Sequence, residues 1–237
     1  TDKTCECGAT VSVTCIAPYA TDVVANYNST YAGVITDADG TTYSRIVGKG
    51  ANTQMRPKID INAAPGAAEY IVFKIRTNRT DATGFNFYFA YDANNAASGS
   101  DRDYTTVGTV ELNAANGEWV YYVLDASLMA KYYAAPTTKT IVSVNMLIEG
   151  GSTATADTYL DVGFFALCET KEQVLALIDA DTIAYQANGK ATTTVNKTAF
   201  CPETHAYTYT SKGHQIAACE TCGAEAGALM AHTFDTT

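Results

Sequence analysis

The sequence predicts an all-β protein built as a sandwich of two sheets, with a short helix after the last core strand and a small Cys/His-bearing C-terminal subdomain. Three observations carry this. Between Val11 and Cys168, apolar residues recur with a period of two in at least five short runs, each bounded by turn residues. After Cys168 the period becomes helical. From Phe200 onward the chain is polar and punctuated by Cys and His.

Each run can be read in turn. Glu69–Thr77 places Ile71, Phe73 and Ile75 on one face and Tyr70, Val72, Lys74 and Arg76 on the other. Phe85–Tyr91 sets Phe85, Phe87 and Phe89 against Asn86 and Tyr88. Gly117–Leu124 is a third strand. Ile141–Ile148 is expected to turn Val142, Val144, Met146 and Ile148 inward, with Ser143 and Asn145 outward. Thr158–Cys168 is expected to turn Leu160, Val162 and Phe164 inward, with Tyr159 and Asp161 outward. Asp37-Ala-Asp-Gly40 reads as a hairpin or loop tip. Glu169–Ile178 reads as the helix, with Thr170 as N-cap and Gln173 at the third helical position, a capping-box arrangement. Ala184–Thr198 is polar and reads as an extended linker or edge strand. The organisation predicted is an N-terminal Cys segment (1–10), the sandwich (11–180), a linker (181–199) and a Cys/His-rich unit (200–237).

Composition narrows the function. Charged residues make up 17% and the formal net charge is −10, so the surface repels phosphate backbones and excludes nucleic acid as a partner. No apolar run approaches the roughly 20 residues needed to span a bilayer. No signal peptide is read, so Thr1 is expected to start a mature chain or an excised fragment. Richness in Ala, Thr, Asn, Tyr and Gly with little Lys suits an exported, extracellular β-protein.

Glu69–Thr77, Gly117-Glu-Trp119 through Leu124-Asp125, and Tyr159-Leu-Asp-Val-Gly-Phe-Phe-Ala-Leu-Cys-Glu-Thr-Lys-Glu-Gln-Val174 are together similar to the jelly-roll modules attached to bacterial glycosidases and adhesins. Many of these are carbohydrate-binding or galactose-binding-like domains. The resemblance covers about residues 10–180. It implies a jelly-roll β-sandwich and a non-catalytic binding or adhesion role at the cell surface, with a polysaccharide or other glycan as partner. Trp119 offers a ring that could serve as a stacking platform, but in such modules a Trp at the start of a late strand is more often structural. The tail resembles the small His…Cys-x-x-Cys-Gly…His units of large Gram-positive surface proteins.

The seven cysteines are unevenly placed. His214-x4-Cys219-x2-Cys222-x9-His232 offers four nitrogen and sulfur ligands in the set a structural Zn²⁺ prefers; a Cys219–Cys222 disulfide, or plain thiols with surface histidines, is the alternative. Cys5-x-Cys7-Gly8 and Cys201-x3-His205 form a second candidate zinc set, if the ends of a jelly roll meet; the alternative is a disulfide to Cys201 or no contact. Cys15 and Cys168 sit on the first and last readable strands. A disulfide between them closes a loop of about 153 residues, worth roughly 5 kcal/mol in chain entropy, against a pair of buried thiols. His232-Thr-Phe-Asp-Thr-Thr237 written onto Thr1-Asp-Lys-Thr-Cys5-Glu-Cys7-Gly8 completes another His…Cys…Cys-Gly unit. That split motif offers a second function: a structural repeat or fibre subunit whose identical neighbours join head to tail. The alternative is that the ends are arbitrary.

No catalytic motif is present: no Gly-rich phosphate loop, nucleophile elbow or His-Glu-x-x-His. All three histidines lie in the tail, and nothing pairs Asp101, Asp103, Glu111, Glu149 and Asp161 as a glycosidase requires. The chain is therefore expected not to be an enzyme. Glycan binding needs aromatic faces and fixed polar groups. The outward residues Tyr70, Lys74, Arg76, Asn86, Tyr88 and Asn145 supply such a mixture if their strands adjoin; an ordinary solvated face is the alternative. Asp37 and Asp39 offer a Ca²⁺ site or a plain acidic turn.

Overall fold

A computed structural model describes residues 28–50, 52–63, 68–91, 102–107, 117–129 and 140–201, with short strands outside these ranges. In chain order the strands are β1 (Lys3–Thr4), β2 (Thr10–Val11), β3 (Thr14–Ile16), β4 (Val23–Val24), β5 (Ser29–Thr36) and β6 (Thr42–Gly48). There follow β7 (Gln54–Met55), β8 (Lys58–Ala63), β9 (Tyr70–Thr77), β10 (Ala82–Ala90), β11 (Arg102–Val107) and β12 (Val120–Asp125). The chain continues through β13 (Ile141–Gly150), β14 (Tyr159–Cys168), helix α1 (Lys171–Leu177), β15 (Thr182–Gln186) and β16 (Thr193–Asn196). Strands β17 (Tyr207–Thr208) and β18 (Ala218–Cys219) lie in the tail. Among the described residues no helix is long and apolar enough to cross a membrane.

A six-stranded sheet has the order β11-β10-β13-β8-β4, with β7 pairing β13. An eight-stranded sheet has the order β16-β15-β12-β9-β14-β6-β5, with β3 pairing β14. The pairings β6·β14, β8·β13, β9·β12 and β10·β11 are all antiparallel, and each encloses the next along the chain. Successive pairs alternate between the two sheets. That nesting, one long antiparallel ribbon wrapped over itself, defines a jelly roll. The fold class expected from the sequence is thus the one observed.

The alternating strands build the core between the sheets. Ile71, Phe73 and Ile75 of β9 and Leu160, Val162 and Phe165 of β14 pack with Phe85, Phe87 and Phe89 of β10 and Val144, Met146 and Ile148 of β13. Each such side chain contributes about 1.5–3 kcal/mol relative to exposure. Two bulges depart from simple alternation. A register shift between Ile141 and Ser143 buries Ile141, leaving Val142, expected inward, only half-buried. A shift between Val162 and Phe164 makes Gly163 a bulge residue. Phe165 then takes the inward place and Phe164, also expected inward, turns out against Tyr121, with ring centroids 6.0 Å apart.

The outward face of the eight-stranded sheet is covered at one end. There Val72, Tyr121, Val123, Ala166 and Cys168 pack beneath Val174, Leu175 and Ile178 of the helical segment, with Ile183, Phe200 and Cys201. Thr170 caps α1 by accepting from the Gln173 backbone N–H, as its position predicts, while Gln173 Oε1 accepts from the Glu169 N–H. Residues 181–199 are not a linker: β15 adds to the sheet parallel to β12, and β16 pairs antiparallel to β15. The short Thr182–Gln186 run buries Ile183 and Ala184, so the segment belongs to the sandwich, with β16 as the edge strand of the sheet.

One turn positions the site described below. The Asn78 side chain donates to the Asp157 carbonyl and accepts from the Tyr159 N–H, fixing the start of β14. Beside it, buried Arg79 donates to Asp81 and to the Ser152 carbonyl, and Asp81 accepts from Ser152 N–H and O–H. Burial raises the Asp81 pKa, but the hydrogen bonds of Ser152 and Arg79 outweigh it and hold the carboxyl at about 2, against 3.8 ordinarily. A depressed folded pKa stabilises above the unfolded value and is lost as pH falls through the folded one. The carboxylate is 32% exposed, so solvent screening reduces its worth to about 1–2 kcal/mol. Urea unfolding between pH 4 and 2 is expected to show that loss, and Asp81→Asn to flatten the slope.

Candidate functional site

The other end of the same outward face, which no described element covers, holds a cationic and aromatic cluster. Asp161 on β14 stands opposite Arg45 of β6 on one side and Arg76 of β9 on the other. Its carboxylate is 0% exposed. Arg45 Nε donates to Oδ1 at 2.7 Å and Nη2 to Oδ2 at 2.8 Å, while Arg76 Nε donates to Oδ2 at 2.8 Å. Arg76 Nη2 also meets Asp37 Oδ2 at 2.9 Å, and the Tyr43 hydroxyl donates to Asp37 Oδ1 at 2.9 Å. The pairing carries the charge inward with its compensation: three charge-assisted N–H bonds satisfy one buried carboxylate.

Aromatic rings frame these cations. The Arg76 guanidinium carbon lies 4.6 Å from the Tyr43 ring centroid and 4.4 Å from that of Trp119, and those two rings meet edge-on at 5.3 Å. Arg45 lies 4.1 Å from the Tyr159 centroid. Lys74 Nζ is 5.0 Å from both Trp119 and Tyr121. Gly163 makes room for this: a Cβ there would sit 3.1 Å from Lys74 Cδ. Hydrogen bonding to Asp161 raises the Arg45 pKa against the opposing effect of burial. For Arg76 burial is the largest influence and acts the other way, but Asp161 and Asp37 outweigh it and the pKa is raised. Burial, then the bond to Asp37, pushes the Tyr43 phenol above its ordinary value. The result is a preorganised platform, with Trp119, Tyr159, Lys74 and Arg45 half-buried at its surface.

The six residues chosen from the sequence do not form one face. Lys74 and Arg76 belong to this cluster. Tyr70 shares their sheet but lies at the covered end, edge-on to Phe200 at 5.7 Å. Asn86, Tyr88 and Asn145 point outward from the other sheet, on β10 and β13, with Tyr88 opposite Asn145 in register. Tyr88 and Asn145 are buried there, and Asn145 donates to Ser143 Oγ at 3.1 Å. The reason is topological: alternation says which residues leave the core, not through which sheet. Tyr43, Arg45, Tyr159 and Asp161 were not selected, and Trp119 was read as structural. Their signal was present in outward charges and rings on separate runs, but only strand order joins them.

Both oxygens of Asp37 accept from Tyr43 and Arg76, and Asp39 Oδ1 accepts from the Thr41 N–H in the β5–β6 turn. The Asp37 carboxylate is thus engaged by a guanidinium and a phenol. Among the described residues no group of three or more His, Cys, Asp or Glu is placed to hold a metal. Cys5, Cys7, His205, His214, Cys222 and His232 lie outside the described residues; Cys219 is described only as part of β18, opposite Tyr207. Cys201 is buried beside the α1 end of the sheet. Cys15 lies on β3 in register with Ala166, two residues before Cys168, which is buried.

No family model and no curated protein matches the sequence. Solved structures do. The chain is similar to carbohydrate-binding modules. The family 11 module of cellulosomal cellulase Lic26A-Cel5E of Clostridium thermocellum is 8% identical with a TM-score of 0.43, over 68% of this chain and 96% of that one. A module specific for non-crystalline cellulose, CBM28, is 14% identical with a TM-score of 0.39, over 64% and 97%. TmCBM61, solved with β-1,4-galactotriose, is 10% identical with a TM-score of 0.33, over 63% and 90%.

Proposed function

We propose that this chain is a non-catalytic, extracellular carbohydrate-binding module and that the glycan lies on the outward face of the eight-stranded sheet, across Trp119, Tyr159, Arg45 and Lys74. The observation that carries the reading is the buried Asp161, which holds two guanidiniums against three aromatic rings before any ligand arrives. Rings suited to sugar C–H faces, with donors fixed beside them, lower the ordering cost of binding.

The test is affinity electrophoresis through gels containing a panel of polysaccharides. Trp119→Ala is expected to weaken retention at least tenfold, or about 1.4 kcal/mol, with the fold intact by circular dichroism. Asn86→Ala, on the opposite sheet, is expected to leave retention unchanged. The reverse pattern moves the site to the six-stranded sheet. The head-to-tail fibre reading and the zinc sets are supported by Cys/His spacing alone, and no contact among the described residues adds to them.

A further inference from the structure

Resting on that reading of the face, we infer that the platform selects anionic glycans and that its cognate group is the carboxylate or sulfate of an acidic polysaccharide. Donors outnumber open acceptors among the charged groups of the cluster. The carboxylates at the centre are already engaged: Asp161, fully buried, takes three N–H bonds from Arg45 and Arg76, and Asp37 accepts the Tyr43 O–H and pairs with Arg76 Nη2. The donors are not. A guanidinium carries five N–H groups, and among the described residues Nη1 of Arg45, Nη1 of Arg76 and Nζ of Lys74 have no hydrogen-bond partner.

The face therefore offers an incoming ligand positive N–H donors over aromatic surface. A neutral sugar hydroxyl both donates and accepts, and its proton has no share in buried Asp161, whose carboxylate is already triply bonded. A carboxylate or sulfate only accepts, so it matches the cationic donors left without a partner. Three cations stand here beside the carboxylates of Asp161 and Asp37, in a chain of net charge −10. Asp39, in the β5–β6 turn, is a further carboxylate that feels the charge of Lys74; it is solvent-exposed and accepts from the Thr41 N–H. The net negative charge of the chain opposes a polyanion, and the attraction of these cations is weakened by salt.

Titration of the wild-type chain against polygalacturonate, its fully methyl-esterified form, a sulfated galactan and a neutral galactan tests the inference. At least one acidic polymer is expected to bind tenfold or more tightly than both neutral ones, and preference between the two identifies carboxylate or sulfate. Lys74→Gln is expected to lower that affinity about fivefold with an unchanged melting temperature, and Lys74→Arg to restore it. Neutral polymers binding as tightly as acidic ones, in a manner still lost in Trp119→Ala, overturns the anion selectivity and leaves the glycan site standing. Binding of none of the four, or binding indifferent to Trp119→Ala, overturns the site itself.

Discussion

An Asp161→Ala variant is expected to lose about 2–4 kcal/mol of unfolding free energy and all measurable glycan retention. Removing one partner of a buried ion pair generally costs about 3–5 kcal/mol, because the remaining charge is left uncompensated. Here the abandoned guanidiniums keep side-chain exposures of 26% and 15%, so they recover some hydration and the loss falls toward the lower part of that range. Retention fails for a separate reason. Without Asp161 nothing aligns Arg45 with Tyr159, and Arg76 keeps only Asp37 to hold it between Tyr43 and Trp119. Asp161→Asn, which keeps the shape but loses the charge, is expected to fall between. Urea denaturation gives the first effect, and gel retention of the folded variant gives the second.

Phe73→Ala is expected to cost about 3–5 kcal/mol, with little change in the affinity of whatever remains folded. Phe73 is fully buried and stacks on Phe87 at 5.4 Å and on Tyr122 at 5.0 Å, with Phe85 tilted against it at 5.8 Å. Two of those rings come from the facing sheet, so truncation opens a cavity where the sheets meet and neither can close it alone. The platform lies on the opposite side of β9, which separates this variant from Asp161→Ala: one loses stability, the other stability and binding. A fall in the urea midpoint without a change in slope is the expected signature.

The same strand shows what could be read in advance. Ile71, Phe73 and Ile75 announced their face because the strand period is two, and the Phe85–Phe89 run did likewise. Bulges broke that rule: Gly163 reversed Phe164, and the shift after Ile141 displaced Val142. A bulge is set by the partner strand and leaves only a glycine in the sequence at best. The site was half legible. Lys74 and Arg76 were found because they alternate with core residues on one strand. Arg45 and Asp161 lie 116 residues apart and meet only because the nested ribbon brings β6 beside β14. Asn86, Tyr88 and Asn145 have the same outward pattern but leave through the other sheet. Residues 182–186 were too short a run to announce a strand, and the parallel pairing that holds them comes from β12.

Trp119 is the only tryptophan in the chain, so its fluorescence reports from this face and from nowhere else. A titration with a retained polysaccharide, followed by tryptophan emission alongside calorimetry, tests most directly the claim that the glycan sits there. The predicted result is a saturating change in emission whose midpoint matches the calorimetric one and which Asp161→Ala abolishes. Calorimetric binding with an emission spectrum that does not move would contradict it and place the glycan elsewhere on the sandwich.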